Sequence, residues 1–296
     1  MIMSSKDEYE SYYVPEQSPW PFIGAVGLFF CVIGAANLTN QLTRGYEGWG
    51  GTLLTIGLGI IVFMLFGWFK NQIDESMAGM YSKQLGDSYR QGMTWFIFSE
   101  VMFFAAFFGA LFYARVLSVP WLAGEGNNFM TGQVLWSGFE AAWPLVNLPD
   151  GRTTEAMPWT GLPLYNTLLL LTSSVTLHFA HVGVEKEQRG KAKGFMIATI
   201  LLGCVFLVLQ VEEYIHAYTE MGLTLDAGIY GNTFFLLTGF HGMHVTLGTI
   251  LLIIMFLRIM KGHFTHDNHF AFLAASWYWH FVDVVWLGLF IFVYIL

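Results

Sequence analysis

Seven apolar stretches of membrane-spanning length constrain the fold of this chain more than any other feature. A hydrocarbon core about 30 Å thick requires about 20 apolar residues per helix. At that length the candidate spans are residues 20–38, 49–69, 93–117, 162–184, 195–215, 232–257 and 272–296. Only 11% of the 296 residues are charged, whereas a soluble domain is about 25% charged. The sequence therefore predicts an all-α membrane protein with seven transmembrane helices.

The polar segments between the spans suggest a division of the chain. A polar inner connection at residues 71–92 separates helices 1 and 2, residues 20–70, from helices 3 to 7, residues 93–296. Residues 1–19 form an amino-terminal segment that lacks the basic and apolar regions of a cleavable signal. The longest outer loop, residues 118–161, contains four tryptophans, which suit a membrane interface or a partner protein.

The distribution of basic residues predicts the orientation in the membrane. Of the 13 lysines and arginines, only Arg44, Arg115 and Arg152 fall on the side opposite the amino terminus. The positive-inside rule therefore places the amino terminus inside and, after seven spans, the carboxyl terminus outside. The net charge is −8, and no basic run alternates with aromatic residues as in a single-strand binding groove. Nucleic acid is thus excluded as a partner.

The predicted spans contain ionisable residues, which are rare in membranes and cost about 2.5–3.5 kcal/mol each. We call eight of them the polar seam: His178, His181, Glu212, Glu213, His216, His241, His280 and Asp283. Several are three residues apart and share a helix face. Three interpretations fit this spacing. The first is a di-iron bundle, which uses Glu-x-x-His motifs; the second is haem ligation from two helices; and the third is hydrogen bonding between helices. A di-iron bundle needs two such motifs and the chain has one, "EYIH", so hydrogen bonding is favoured.

Glu100 lies in the apolar stretch "FIFSEVMFF" of the third span. At about 1.5 Å per residue from Met93, it lies about 10 Å below the inner surface. With no cation near it in its own helix, burial favours the neutral acid. Two interpretations stay open: a proton relay or gate, and a neutral acid that donates one hydrogen bond between helices.

Several long motifs together resemble a known family. They are "RQGMTWFIFSEVMFF", "WFKNQIDES", "LPLYNTLLLL", "GNTFFLLTGFHGMHVTLGTILL", "FLRIMKGHFTHDNHFAF" and "SWYWHFVDVVWLGLF". They closely resemble subunit III of the haem-copper cytochrome c oxidases over nearly the whole chain. The resemblance implies a two-helix hairpin and a five-helix bundle separated by a V-shaped cleft that is filled with phospholipid. The outer-loop stretch "GFEAAWPLVNLPDG" is similar to bacterial members, which implies a bacterial inner membrane with a cytoplasmic amino terminus.

The resemblance also implies a function. Subunit III is an accessory, non-catalytic core subunit of the terminal oxidase that oxidises cytochrome c, reduces O2 to water and pumps protons. Haem and copper belong to subunits I and II, and subunit III packs on subunit I and holds no metal, so the polar seam is implied to be structural or to line the cleft. Glu100 takes the position of the buried carboxyl that supports proton uptake by subunit I. The resemblance assigns phospholipid contacts to Glu75, Ser76, His244 and Arg258, and Lys261 adds a second nearby cation.

Other functions remain as alternatives. The equivalent subunit of a quinol oxidase is one, although such subunits typically lack the first two helices. A free-standing di-iron or haem redox protein is another. A proton-coupled transporter with Glu100 as its carrier site is the third, but inverted repeats would accompany it, and the sequence shows none.

Overall fold

The computed structural model describes residues 13–14, 16–148, 151–266 and 268–296. Most of the predicted amino-terminal segment, residues 1–12 and 15, therefore lies outside the described residues. The long helices are α1 (Trp20–Arg44), α2 (Gly50–Met77), α3 (Lys83–Tyr113), α4 (Leu162–Glu185), α5 (Arg189–Thr219), α6 (Gly228–Lys261) and α7 (Phe270–Leu289). All seven are long and apolar enough to cross a membrane. The prediction of an all-α membrane protein with seven spans is confirmed.

The helices extend beyond the apolar stretches that predicted them. Helix α1 continues to Arg44 and ends where Gly45 takes the left-handed conformation with φ of 68°. Helix α2 continues to Met77 and α3 begins at Lys83, so most of the polar inner connection at 71–92 is helix. Hydropathy detects only the part of a helix that suits lipid, whereas Gln, Glu and Lys are good helix formers outside it.

Irregular helical turns continue two of the long helices. Helix α3 runs on through a π turn, Ala114–Ser118, into a short helical turn, Val119–Leu122. Helix α7 likewise continues as a π segment, Phe290–Ile295. The long loop after α3 is anchored to the helices: the amide of Met157 donates to the Tyr230 hydroxyl at 3.1 Å.

The chain divides into two compact units, and the boundary between Tyr89 and Arg90 falls within α3. In the first, the two-helix unit (Met1–Tyr89), glycines bring the backbones of α1 and α2 into contact. A Cβ on Gly34 would collide with the backbone of Leu54, and one on Gly50 would collide with the backbone of Leu38. Such close approach through small residues is a common way for helices to associate in a membrane, where no hydrophobic effect drives them together.

The second, the five-helix unit (Arg90–Leu296), is organised around α7. Within the most apolar stretch of α7, 61% of the residues are buried inside the protein, a larger share than in the other six spans of the described chain. The indole N–H of Trp279 donates to Ser173 Oγ at 2.9 Å, and that of Trp286 donates to Thr167 Oγ1 at 3.0 Å. Both bonds tie α7 to α4, and they satisfy polar groups that lipid could not.

Candidate functional site: a glutamate and histidine pair within the helices

Glu100 on α3 has its polar partner on α6. Its Oε2 lies 3.1 Å from Nε2 of His244, and the two side chains are 23% and 7% exposed, respectively. Both residues belong to the five-helix unit. The sequence shows no cation near Glu100 within its own helix. The partner comes instead from a helix far along the chain.

The other ring nitrogen of His244 determines the protons in this pair. Nδ1 lies 2.7 Å from the carbonyl oxygen of Phe240, and a carbonyl only accepts, so Nδ1 carries a hydrogen. Nε2 then either accepts from a protonated Glu100 or, in the imidazolium form, donates to the Glu100 carboxylate. In both forms the two residues share one proton and the pair has no net charge, which suits a site within hydrocarbon.

Aromatic rings surround the histidine. The ring of Phe104 lies 5.0 Å from that of His244, and the ring of Tyr278 stacks on it at 6.3 Å with an interplanar angle of 22°. The ring of Phe103 lies 6.0 Å from the imidazole. These rings come from α3 and α7, so three helices enclose the imidazole and keep it away from water.

The structure does not bring the polar seam together as one feature. One part of it joins α4 to α7: the Ser174 hydroxyl donates to Asp283 Oδ2 at 2.8 Å and lies 3.0 Å from Nδ1 of His280. Because that hydroxyl has one hydrogen, which Asp283 accepts, His280 donates from Nδ1. Ser174, which sequence reasoning did not single out, is the residue that connects His280 to Asp283.

Two further parts of the seam lie deep in the five-helix unit. The Tyr294 hydroxyl donates to Glu213 Oε1 at 2.8 Å, and Gln210 Nε2 donates to Glu213 Oε2 at 3.3 Å. His241, fully buried, donates from Nε2 to the carbonyl oxygen of Val282 at 3.1 Å. The bonds of Tyr294 and His241 join the π continuation of α7 and α7 itself to another helix, whereas the Gln210 bond lies within α5.

The remaining seam residues lie apart. His178 and Glu212 are exposed on the surface of this chain. His216 pairs with Glu220 at 3.1 Å in the last turn of α5, and His181 lies near Glu185 at the end of α4. The sequence grouped these residues because a spacing of three places two side chains on one helix face. That spacing does not specify which helix the face contacts.

The comparisons with known proteins identify the family. The family model described as cytochrome c oxidase subunit III matches residues 10–296. The chain belongs to this family. It is 39% identical to cytochrome c oxidase subunit 3 of Marchantia polymorpha over 98% of both chains. It is 36% identical to the subunit 3 of Papio hamadryas over 97% of both chains, and 37% identical to that of Formosania lacustris over 96% of both.

In this subunit III chain, two of the residues predicted to bind lipid lie in the last turn of α6. Arg258 is 7% exposed, and its guanidinium lies 4.6 Å above the ring of Phe264, a cation–π contact. Lys261, the last residue of α6, is exposed. Burial, and then the charges of Arg258 and Lys261, lower the pKa of His263 just beyond the helix.

The predicted lipid contact of His244 in this subunit III chain stays a prediction, and the structure shows where its polar atoms point. Both ring nitrogens are already bonded within the protein, Nδ1 to Phe240 and Nε2 to Glu100. A histidine so placed has no ring nitrogen left to bond a lipid headgroup.

The other two residues of this subunit III chain that are predicted to contact lipid lie at the end of α2. Glu75 Oε2 accepts from the Tyr81 hydroxyl at 3.2 Å, and Gln72 Nε2 lies 3.4 Å from the same oxygen. Ser76, the neighbouring residue, is half-buried. Burial and the neighbouring Tyr89 and Glu75 raise the pKa of Tyr81, so its hydroxyl stays protonated and remains a donor.

Proposed function

We propose that this chain is the accessory subunit III of a respiratory terminal oxidase that oxidises cytochrome c, reduces O2 to water and pumps protons. The family match across residues 10–296 supports this assignment. In this proposal the chain holds no redox centre: haem and copper reside in subunits I and II, and the chain packs directly on subunit I.

The observation that carries a specific role is the 3.1 Å contact between Glu100 and His244. We propose that this pair supports proton uptake by subunit I and preserves its active site during turnover. A neutral pair that shares one proton can pass it across the hydrogen bond between them without placing a net charge in hydrocarbon. The partial exposure of Glu100, 23% of its side chain, leaves the carboxyl accessible from the surface of α3.

The chain also holds structural phospholipid in this proposal. In the five-helix unit, Arg258 supports it, because a guanidinium can donate two parallel hydrogen bonds to phosphate, and Lys261 adds a second cation. In the two-helix unit, Glu75 and Ser76 are proposed to contact lipid at the end of α2.

The location proposed is a bacterial plasma membrane, with the amino terminus in the cytoplasm and the carboxyl terminus in the periplasm. The chain is a multi-pass membrane protein with seven spans. The excess of lysine and arginine in the segments on the amino-terminal side supports the orientation. The stretch "GFEAAWPLVNLPDG" supports the bacterial origin.

Affinity capture of the tagged chain from its native membranes tests this assignment. We expect subunits I and II to copurify, with haem and copper in the complex and oxidation of reduced cytochrome c. Activity with a quinol alone would support the quinol-oxidase alternative instead. Iron or haem that stays with this chain after it is separated from the complex would overturn the assignment of all redox centres to its partners.

A further inference from the structure

We propose that His181, Glu185 and His269 form a binding site for a divalent transition-metal ion, with zinc the best match. His181 and Glu185 lie in the last turns of α4, and His269 immediately precedes α7. One ligand atom from each residue lies within 4.8 Å of the others. The resemblance implied no metal in this chain, and its motif "FLRIMKGHFTHDNHFAF" contains His269 without a role assigned to it.

The distance between His181 and Glu185 is close to that of an occupied site. Ligand atoms about 2.0–2.2 Å from a tetrahedral zinc ion stand about 3.3–3.5 Å apart. His181 Nε2 and Glu185 Oε1 are 3.7 Å apart, too far for a hydrogen bond but within a few tenths of an ångström of that spacing. The Glu185 side chain is 45% exposed, so it can rotate inward without disturbing packed residues.

The two histidines are already oriented as ligands. Nδ1 of His269 lies 3.2 Å from the carbonyl oxygen of Thr265, so this nitrogen donates and the other ring nitrogen keeps its lone pair. Metal-bound histidines commonly donate their second ring nitrogen in this way. His181 Nε2 is buried and lacks a hydrogen-bond partner among the residues that the structure describes, and the ring is held by stacking on Phe272 at 5.7 Å.

The ligand set indicates which metal binds. Two imidazoles and one carboxylate, with the fourth position open to water, match zinc, whereas Ca²⁺ and Mg²⁺ prefer sets made of oxygen atoms. The ion would connect the end of α4 to the first residue before α7. It would therefore fix the segment that leads into the most buried helix of the five-helix unit.

Zinc titration of the purified oxidase complex that contains this chain tests the site. The complex is first stripped with a chelator and then titrated with zinc against a fluorescent zinc indicator, and bound zinc is counted by elemental analysis. The variants are Glu185→Ala, His269→Ala and His269→Cys, with His263→Ala as the control for a histidine of the same segment outside the cluster. The haem content of each sample shows that the complex is intact.

We expect His269→Ala to bind one zinc ion fewer per complex than the unmodified protein. Glu185→Ala should bind that ion at least about tenfold more weakly, and His269→Cys should retain it because a thiolate also binds zinc. The control should match the unmodified protein. Equal zinc stoichiometry and affinity in all the variants, with haem content unchanged, would overturn the proposal.

Discussion

Glu100 of α3 and His244 of α6 lie 3.1 Å apart, and the Phe240 carbonyl fixes the histidine so that the pair holds one shared proton. The two residues are energetically coupled as a result. Changing either one alone leaves the other with an unmatched polar group within the membrane, whereas changing both removes the mismatch.

A double-mutant cycle with Glu100→Leu and His244→Phe measures this coupling. We expect a coupling free energy of about 0.6–1.7 kcal/mol, from the average to the largest value found for hydrogen bonds between membrane helices. The complex is unfolded with denaturant in detergent, and the unfolding of this chain is monitored by its susceptibility to protease. Additive effects of the two substitutions would show that the residues do not interact.

Infrared spectroscopy reports the position of the shared proton. His244→Phe removes the nitrogen that contacts Glu100, so the carboxyl absorption assigned to Glu100 should shift. Glu100→Gln identifies that absorption by removing it. A carboxyl band that is identical in the His244→Phe complex and the unmodified complex would contradict the contact.

The backbone contact of α1 with α2 predicts a strong effect at Gly34. Because a Cβ there would collide with the backbone of Leu54, Gly34→Ala should destabilise the two-helix unit by about 1–3 kcal/mol. Gly59→Ala is the matched control, since nothing lies within 4 Å of its Cβ position. Protease resistance of the hairpin in the detergent-solubilised complex distinguishes them. Equal resistance of the two variants would contradict the close approach.

The buried bond from Tyr294 to Glu213 predicts a loss of stability when the hydroxyl is removed. Tyr294→Phe leaves a buried carboxyl oxygen without its donor at 2.8 Å, which costs about 1–3 kcal/mol. Tyr165→Phe, on the exposed surface of α4, should have almost no effect. The midpoint of thermal unfolding of the complex is the readout, and equal midpoints for the two variants would contradict the role of this bond.

The cation at the end of α6 predicts an effect on bound lipid. Arg258→Glu replaces a buried guanidinium with an anion that repels phosphate, so we expect less phospholipid to remain per complex after detergent washing. Arg44→Glu, an exposed arginine at the end of α1, is the control. Phosphorus analysis per haem provides the measurement. Equal phosphorus in both variants would contradict the proposed lipid site.

The sequence predicted the spans well because burial in lipid selects apolar residues along the whole width of the membrane. It also singled out Glu100 as a carboxyl within a span, since an acid among the eight apolar or small neighbours of "FIFSEVMFF" is visible from the sequence alone. It did not pair Glu100 with His244, because those residues are 144 positions apart and a spacing rule works only within one helix. The Val282 carbonyl that His241 contacts could not be predicted either, because every residue has a backbone carbonyl and the sequence does not show which one a side chain contacts.

Turnover of the purified oxidase complex with cytochrome c tests the central claim most directly. We would compare proton uptake and the loss of activity over successive turnovers in the unmodified complex, in the Glu100→Ala complex, and in the complex after removal of this chain. The account predicts the same reduced-minus-oxidised haem spectrum in all three, with slower proton uptake and earlier inactivation in the last two. Proton uptake and lifetime that are unchanged after the chain is removed would contradict it.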